Sequence, residues 1–122
     1  MVKHIATVAG VGLAVAFVAV FFIGRTETRH LTEVAPRVGM SYDDLMAMGP
    51  RIATQTGVTL GSSRRVVYLL ACSGQASKST LETQAVQAGT LAKQQRLSDR
   101  EAVVAVLAQA GSSSAAEKLK GC

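Results

Sequence analysis

The hydrophobic positions divide the chain into two unlike parts. Residues 5–24 read IATVAGVGLAVAFVAVFFIG, with no charged side chain and with Thr7 as the only polar one. About 20 apolar residues at 1.5 Å each are enough for a helix to span the hydrocarbon core of a bilayer. In lipid a single segment can satisfy its backbone hydrogen bonds only as a helix. The pattern therefore predicts a transmembrane helix at 5–24, after a short N-terminal tail at 1–4.

A cleaved signal peptide is the alternative interpretation of this segment, with Ala14-Val15-Ala16 as the cleavage site. The apolar part of a signal peptide is usually about 7–15 residues long, which is shorter than the run found here. Cleavage at this point would also leave FVAVFFI at the start of the mature chain. We therefore expect the segment to be retained.

Small residues recur at four-residue spacing inside this segment. Such spacing lets a second helix approach closely in a membrane, where packing drives association. The sequence therefore predicts a helix-packing face, made of Ala6, Gly10, Gly12, Ala14 and Ala16.

A second stretch, SSRRVVYLLACSG at 62–74, resembles a lipoprotein signal that ends at Cys72. Its seven apolar residues after Arg65 are too few to span a bilayer. Lipidation of Cys72 would also require the removal of everything that precedes it. We interpret the stretch as the buried central helix of the domain that follows the membrane segment.

Polar and apolar positions after the membrane segment follow a helical period. Residues 25–40 are predicted to be a polar linker, broken by Pro36 and Gly39. A helix at 42–48 is expected to stop at Gly49-Pro50 and to restart over 50–56, and 57–63 is expected to be a loop. Four serines, each followed three residues later by an acid, predict helix starts: Ser41, Ser79, Ser98 and Ser114. The expected fold class is all-α, with one transmembrane helix and a small domain at 41–122 of about four to six short helices.

Charge excludes some partners and bears on orientation. The net charge is +5, but the basic residues are scattered and not interleaved with aromatics, which argues against nucleic-acid binding. Before the apolar segment there is only Lys3, whereas Arg25, Arg29 and Arg37 follow it. The positive-inside rule therefore favours a cytoplasmic, or matrix-like, location for the C-terminal domain.

Candidate chemistry is sparse. His4 and His30 flank the apolar segment and have no metal-ligand partner at a suitable spacing. Asp43 and Asp44 are adjacent, so on a helix they point about 100° apart and do not form a facing acid–base pair. We expect no catalytic residue, no metal, no cofactor and no small-molecule substrate.

The two cysteines leave two alternatives open. Cys72 and Cys122 are 50 residues apart in the sequence. In an oxidising compartment they could form a disulfide, which would also argue against the cytoplasmic orientation. In a reducing compartment Cys72 would be a small core residue and Cys122 a free thiol.

These features favour a non-catalytic, single-pass accessory subunit of a larger membrane assembly. Its transmembrane helix would pack on other membrane helices within the bilayer, and its helical domain on a neighbouring subunit. One alternative is a membrane-anchored structural protein of a membrane-containing virus. Another is a membrane-tethered binding module for an acidic soluble partner.

Overall fold

A computed structural model describes residues 30–122, and the predicted transmembrane helix at 5–24 lies outside them. The described part is all-α and has no strand, which confirms the predicted fold class for this region. A helical turn at 30–34 leads into a 3-10 helix, Ala35–Val38, and five α-helices follow. They are α1 (Tyr42–Thr56), α2 (Leu60–Ser73), α3 (Leu81–Gln95), α4 (Asp99–Gln109) and α5 (Ala115–Lys118). Within residues 30–122, no helix combines the length and apolar character needed to cross a bilayer.

Helix α2 is the centre of the domain. It packs against α1, α3, α4 and the 3-10 helix, and Val66, Val67, Leu70 and Ala71 on it are completely buried. The interpretation of this stretch as a central buried helix is therefore confirmed. Its start was predicted too late, because α2 begins at Leu60 within the expected loop.

Helices α1, α3 and α4 each place an apolar stripe on α2. The stripe of α1 is Leu45, Met48 and Ile52, and that of α4 includes Val103 and Val106. On α3 the buried positions are mostly small, namely Leu81, Ala85, Ala88 and Gly89. Small side chains allow the backbones of two helices to approach closely, and α3 uses this to contact α1, α2 and α4.

The predicted break at Gly49-Pro50 is wrong, because α1 runs without interruption through both residues. Proline removes one backbone donor but its φ is compatible with a helix. Pro50 lies on the exposed side, whereas Gly49 is buried with Met48 and Ile52 on the face that packs on α2. Tertiary packing therefore continues a helix that the local sequence would end.

The predicted polar linker at 25–40 is wrong for its second half. Residues 30–38 are helical, and their buried apolar side chains belong to the main core. The physical reason is their helical spacing, which places Leu31, Val34, Ala35 and Val38 on one side. Gly39, at φ +67°, then turns the chain into α1.

The predicted helix starts are partly confirmed. Ser41 accepts the Asp44 N–H at 3.1 Å, and Ser98 forms a complete capping box with Glu101. Ser79 is not the N-cap of α3. That position is occupied by Thr80, and the helix begins at Leu81. Ser114 occupies the cap position of α5 but makes no capping hydrogen bond with its side chain.

Candidate functional site

A groove between α1 and α3 has a volume of about 800 Å³. Its apolar surface is formed by Met40, Ala47 and Met48 on one side and by Val86 on the other. Met48 is buried, while Met40 and Val86 are half-buried. Because the two walls are neighbouring helices, the groove has the shape that receives a ridge of side chains from a third helix.

An arginine–glutamate pair spans the groove from one wall to the other. Arg51 Nε donates to Glu82 Oε1 at 2.8 Å, and Arg51 Nη2 donates to Glu82 Oε2 at 3.4 Å. The hydrogen bond to Glu82 and the negative charge of its carboxylate raise the pKa of Arg51 above its ordinary value. Both side chains are exposed, so the pair adds little stability, but its two parallel bonds fix the orientation of both groups.

The remaining charged groups of the groove balance each other. Asp44 lies on the α1 side, and Lys78 lies just before α3. Together with the Arg51–Glu82 pair they give two cations and two anions around an apolar floor. The described lining therefore carries no net charge, and its charges favour neither an acidic nor a basic ligand.

The two cysteines form a disulfide in the structure. Cys72 lies in the last turn of α2, Cys122 follows α5, and their Cα atoms are 6.0 Å apart. Of the two states that the sequence left open, the structure therefore contains the bridged one. Arg37 Nη1 donates to the Cys72 backbone oxygen at 3.3 Å and lies 3.7 Å from Cys72 Sγ.

The segment that ends at Cys122 is fastened to the domain at further points. Arg100, on α4, donates to the backbone oxygens of Leu119 at 2.9 Å and of Cys122 at 2.8 Å. The Leu119 side chain is fully buried in the core. The disulfide, the arginine and the leucine together hold residues 119–122 against α2 and α4.

Apart from Asp44, which lines the groove, the other residues that the sequence singles out lie away from these features. The predicted helix-packing residues of the membrane segment (Ala6, Gly10, Gly12, Ala14 and Ala16) and His4 fall outside residues 30–122. Asp43 and Asp44 are exposed in the first turn of α1, where acids stabilise a helix. The His30 ring stacks on that of Tyr68, with centroids 5.2 Å apart. In the described region no three His, Cys, Asp or Glu side chains are grouped to hold a metal ion.

Sequence reasoning missed the groove, because its walls come from residues far apart in the chain. Arg51 and Glu82 are 31 residues apart, and neither belongs to a recognisable motif. The sequence contains only a weak signal for the groove. Met48 and Val86 are apolar residues at or beside the buried stripes of their helices, which is also where ordinary core residues lie. No family model, no curated protein and no solved structure matches this chain.

Proposed function

We propose that this protein is a non-catalytic, single-pass membrane subunit whose helical domain binds an amphipathic helix of a neighbouring subunit. The groove between α1 and α3 carries this proposal. Helix-in-groove recognition uses apolar side chains at helical spacing, which fit the apolar floor formed by Met48 and Val86. The balanced charges at the rim favour a partner helix with polar flanks and no strong net charge.

The membrane part of the proposal is supported by the sequence alone. The 20-residue apolar run at 5–24 has the length of a bilayer-spanning helix. Its small residues at four-residue spacing, with Gly10 at the centre of one such row, suit close packing against another membrane helix.

We further propose that the helical domain faces an oxidising compartment. Disulfides persist in such compartments and are rare where thiols are kept reduced. The positive-inside rule favours the opposite side, but here it compares one lysine with three arginines around a four-residue tail. The Cys72–Cys122 disulfide is supported by the geometry of the folded domain and therefore has more weight.

Orientation can be tested directly on the full chain in cells. A membrane-impermeant maleimide should label Cys72 and Cys122 in intact cells only after treatment with a membrane-impermeant reductant. Labelling that instead requires cell lysis, with no reductant needed, would place the domain in a reducing compartment.

The docking proposal is tested by site-specific photocrosslinking in native membranes. A photoreactive residue at Gln55 or Thr83, both in the groove lining, should crosslink to one and the same integral membrane protein. The matched control is the exposed position Gln109, at the end of α4 and not part of that lining, which should give no such product. Ala47→Glu, which puts a charge on an exposed position of the groove lining, should abolish the crosslinks from Gln55.

The membrane segment is tested by a pair of substitutions in the same experiment. Gly10→Leu adds bulk where a neighbouring backbone would pass, whereas Phe17→Leu keeps an apolar side chain. We expect Gly10→Leu to reduce incorporation into the assembly more than Phe17→Leu does. Native mass spectrometry that shows only a monomer of the full chain would contradict the subunit proposal and favour the tethered binding module.

A further inference from the structure

A second cavity, of about 570 Å³, lies where the first helical turn meets the starts of α2 and α4. We call it the arginine pocket, because its described lining contains Arg64, Arg65 and Arg100 and one acid, Asp99. His30 and Tyr68 form another part of its wall through their stacked rings. Unlike the groove, where charges balance, this pocket has a clear excess of positive charge.

Several groups in the pocket are held in place by the fold. Arg100 is oriented by its two hydrogen bonds to the backbone oxygens of Leu119 and Cys122. The Asp99 carboxylate accepts a hydrogen bond from the Ser62 hydroxyl at the first turn of α2. Asp99 keeps its negative charge in this hydrogen bond and can offset only one of the three arginines, so the described lining retains an excess of positive charge.

We propose that the arginine pocket binds a phosphate group. Guanidinium groups present parallel N–H donors that match phosphate oxygens and stay charged at any physiological pH. The Tyr68 hydroxyl and the His30 ring, which are also in the lining, can add further hydrogen bonds. A volume of about 570 Å³ exceeds the need of inorganic phosphate and suits a phosphate ester.

Two sources can supply that chemistry, a phospholipid headgroup and a soluble phosphate ester. His30 lies six residues after Gly24, the last residue of the apolar segment. At about 3.3–3.6 Å per residue, the pocket wall is within roughly 20 Å of the end of that segment along the chain. Headgroups are thus within reach if 5–24 spans a bilayer, whereas a soluble ester needs only the helical domain.

The test uses the full chain in a neutral detergent at constant ionic strength. The probes are glycerol phosphate, a short-chain phosphatidylglycerol and a short-chain phosphatidylcholine, whose choline cation cancels its charge. Binding is followed by NMR through the ring resonances of Tyr68 and His30, which report on the pocket itself. We expect saturable shifts of these resonances with at least one of the two anionic probes.

Variants decide whether the arginines are responsible. Arg65 is exposed, so Arg65→Gln should keep the fold and weaken binding about fivefold. The double variant Arg64→Gln/Arg65→Gln should weaken it by about tenfold or more. The matched control, Lys93→Gln/Lys118→Gln, removes the same charge from exposed residues outside both the pocket and the groove and should bind like the wild type.

The probes also distinguish the two sources of phosphate. Equal affinity for glycerol phosphate and phosphatidylglycerol supports a soluble ligand, and binding of phosphatidylglycerol alone supports a headgroup. The absence of saturable shifts with both anionic probes would overturn the proposal. An equal loss of affinity in the lysine control would overturn it too, because binding would then depend on net charge alone.

Discussion

The hydroxyl of Ser63 lies 2.9 Å from the backbone oxygen of Gly49, and so joins α2 to α1 where the two helices cross. Ser63 is completely buried, and its hydroxyl is also 2.8 Å from the Leu60 oxygen, so one hydrogen is shared between two acceptors. A β-carbon at Gly49 would stand 3.1 Å from Arg64 Cγ and 3.6 Å from Ser63 Oγ. The crossing thus depends on a glycine on one helix and a small polar residue on the other.

We expect Ser63→Ala to lower the free energy of unfolding by about 0.5–1.5 kcal/mol, the net value of a typical hydrogen bond. Ser63→Leu should cost more, about 1–3 kcal/mol, because it overpacks the crossing. Urea unfolding of the full chain in neutral detergent, followed by circular dichroism, measures both. Ser113→Ala, at an exposed loop position, is the control and should change the free energy by less than about 0.5 kcal/mol.

Gly89→Ala should destabilise the protein although alanine is the better helix former. The new β-carbon would lie 3.0 Å from Thr56 Cγ2. Thr56 cannot rotate freely, since its hydroxyl donates to the Ile52 oxygen at 2.7 Å. Overpacking costs about 1–3 kcal/mol and helix propensity returns up to about 1 kcal/mol, so we expect a net loss of about 1 kcal/mol.

A double-mutant cycle tests this explanation. Thr56→Ala removes the two atoms that approach most closely, so Gly89→Ala should be less harmful in that background. If Gly89→Ala costs the same with and without Thr56→Ala, the close contact is not the cause.

Breaking the disulfide should lower stability substantially. The bridge closes a loop of 50 residues in sequence separation. The chain-entropy model assigns about 4 kcal/mol to a loop of this length. Urea unfolding of the wild type with and without reductant should show this difference. The variant Cys72→Ser/Cys122→Ser should resemble the reduced wild type, and reductant should have no effect on it.

Arg96→Gly should stabilise the protein. Arg96 ends α3 at φ +54°, a left-handed conformation that costs a residue with a side chain about 1–2 kcal/mol. Glycine adopts it without strain but loses more entropy on folding, so we expect a net gain of about 0.5–1 kcal/mol. Gly57→Ala is the opposite substitution, at φ +80°, and it should be destabilising in the same urea experiment.

The elements that the sequence could predict are those specified by local signals. The Ser98–Glu101 capping box marks the start of α4, and Gly111, at φ +98°, follows its end. The start of α2 escaped prediction because Thr59 caps it by accepting the Ser62 N–H, with no acid at the third position. The capping pattern predicts that Ser79 begins α3, but Thr80 occupies the N-cap position. The Thr80 hydroxyl accepts a hydrogen bond from the Ser77 N–H at 3.0 Å.

The candidate sites were less predictable, because they depend on contacts between distant parts of the chain. Continuity of α1 through Pro50 depends on the packing of its buried face, which a local pattern does not contain. The bond between Cys72 and Cys122 depends on the chain after α5 returning to the end of α2. Arg100 reaches Leu119 and Cys122 only in the folded domain.

The disulfide has a mechanical consequence for the domain. A pulling force applied between residue 30 and Cys122 passes along the chain to Cys72 and then crosses the sulfur–sulfur bond. Helices α3, α4 and α5 lie inside the covalent loop and carry none of this tension. At about 3.3–3.6 Å per residue, the loop holds back about 170 Å of chain that can be extended only after reduction. In the oxidised domain, therefore, only residues 30–72 transmit the pulling force, and the three helices inside the covalent loop are not stretched.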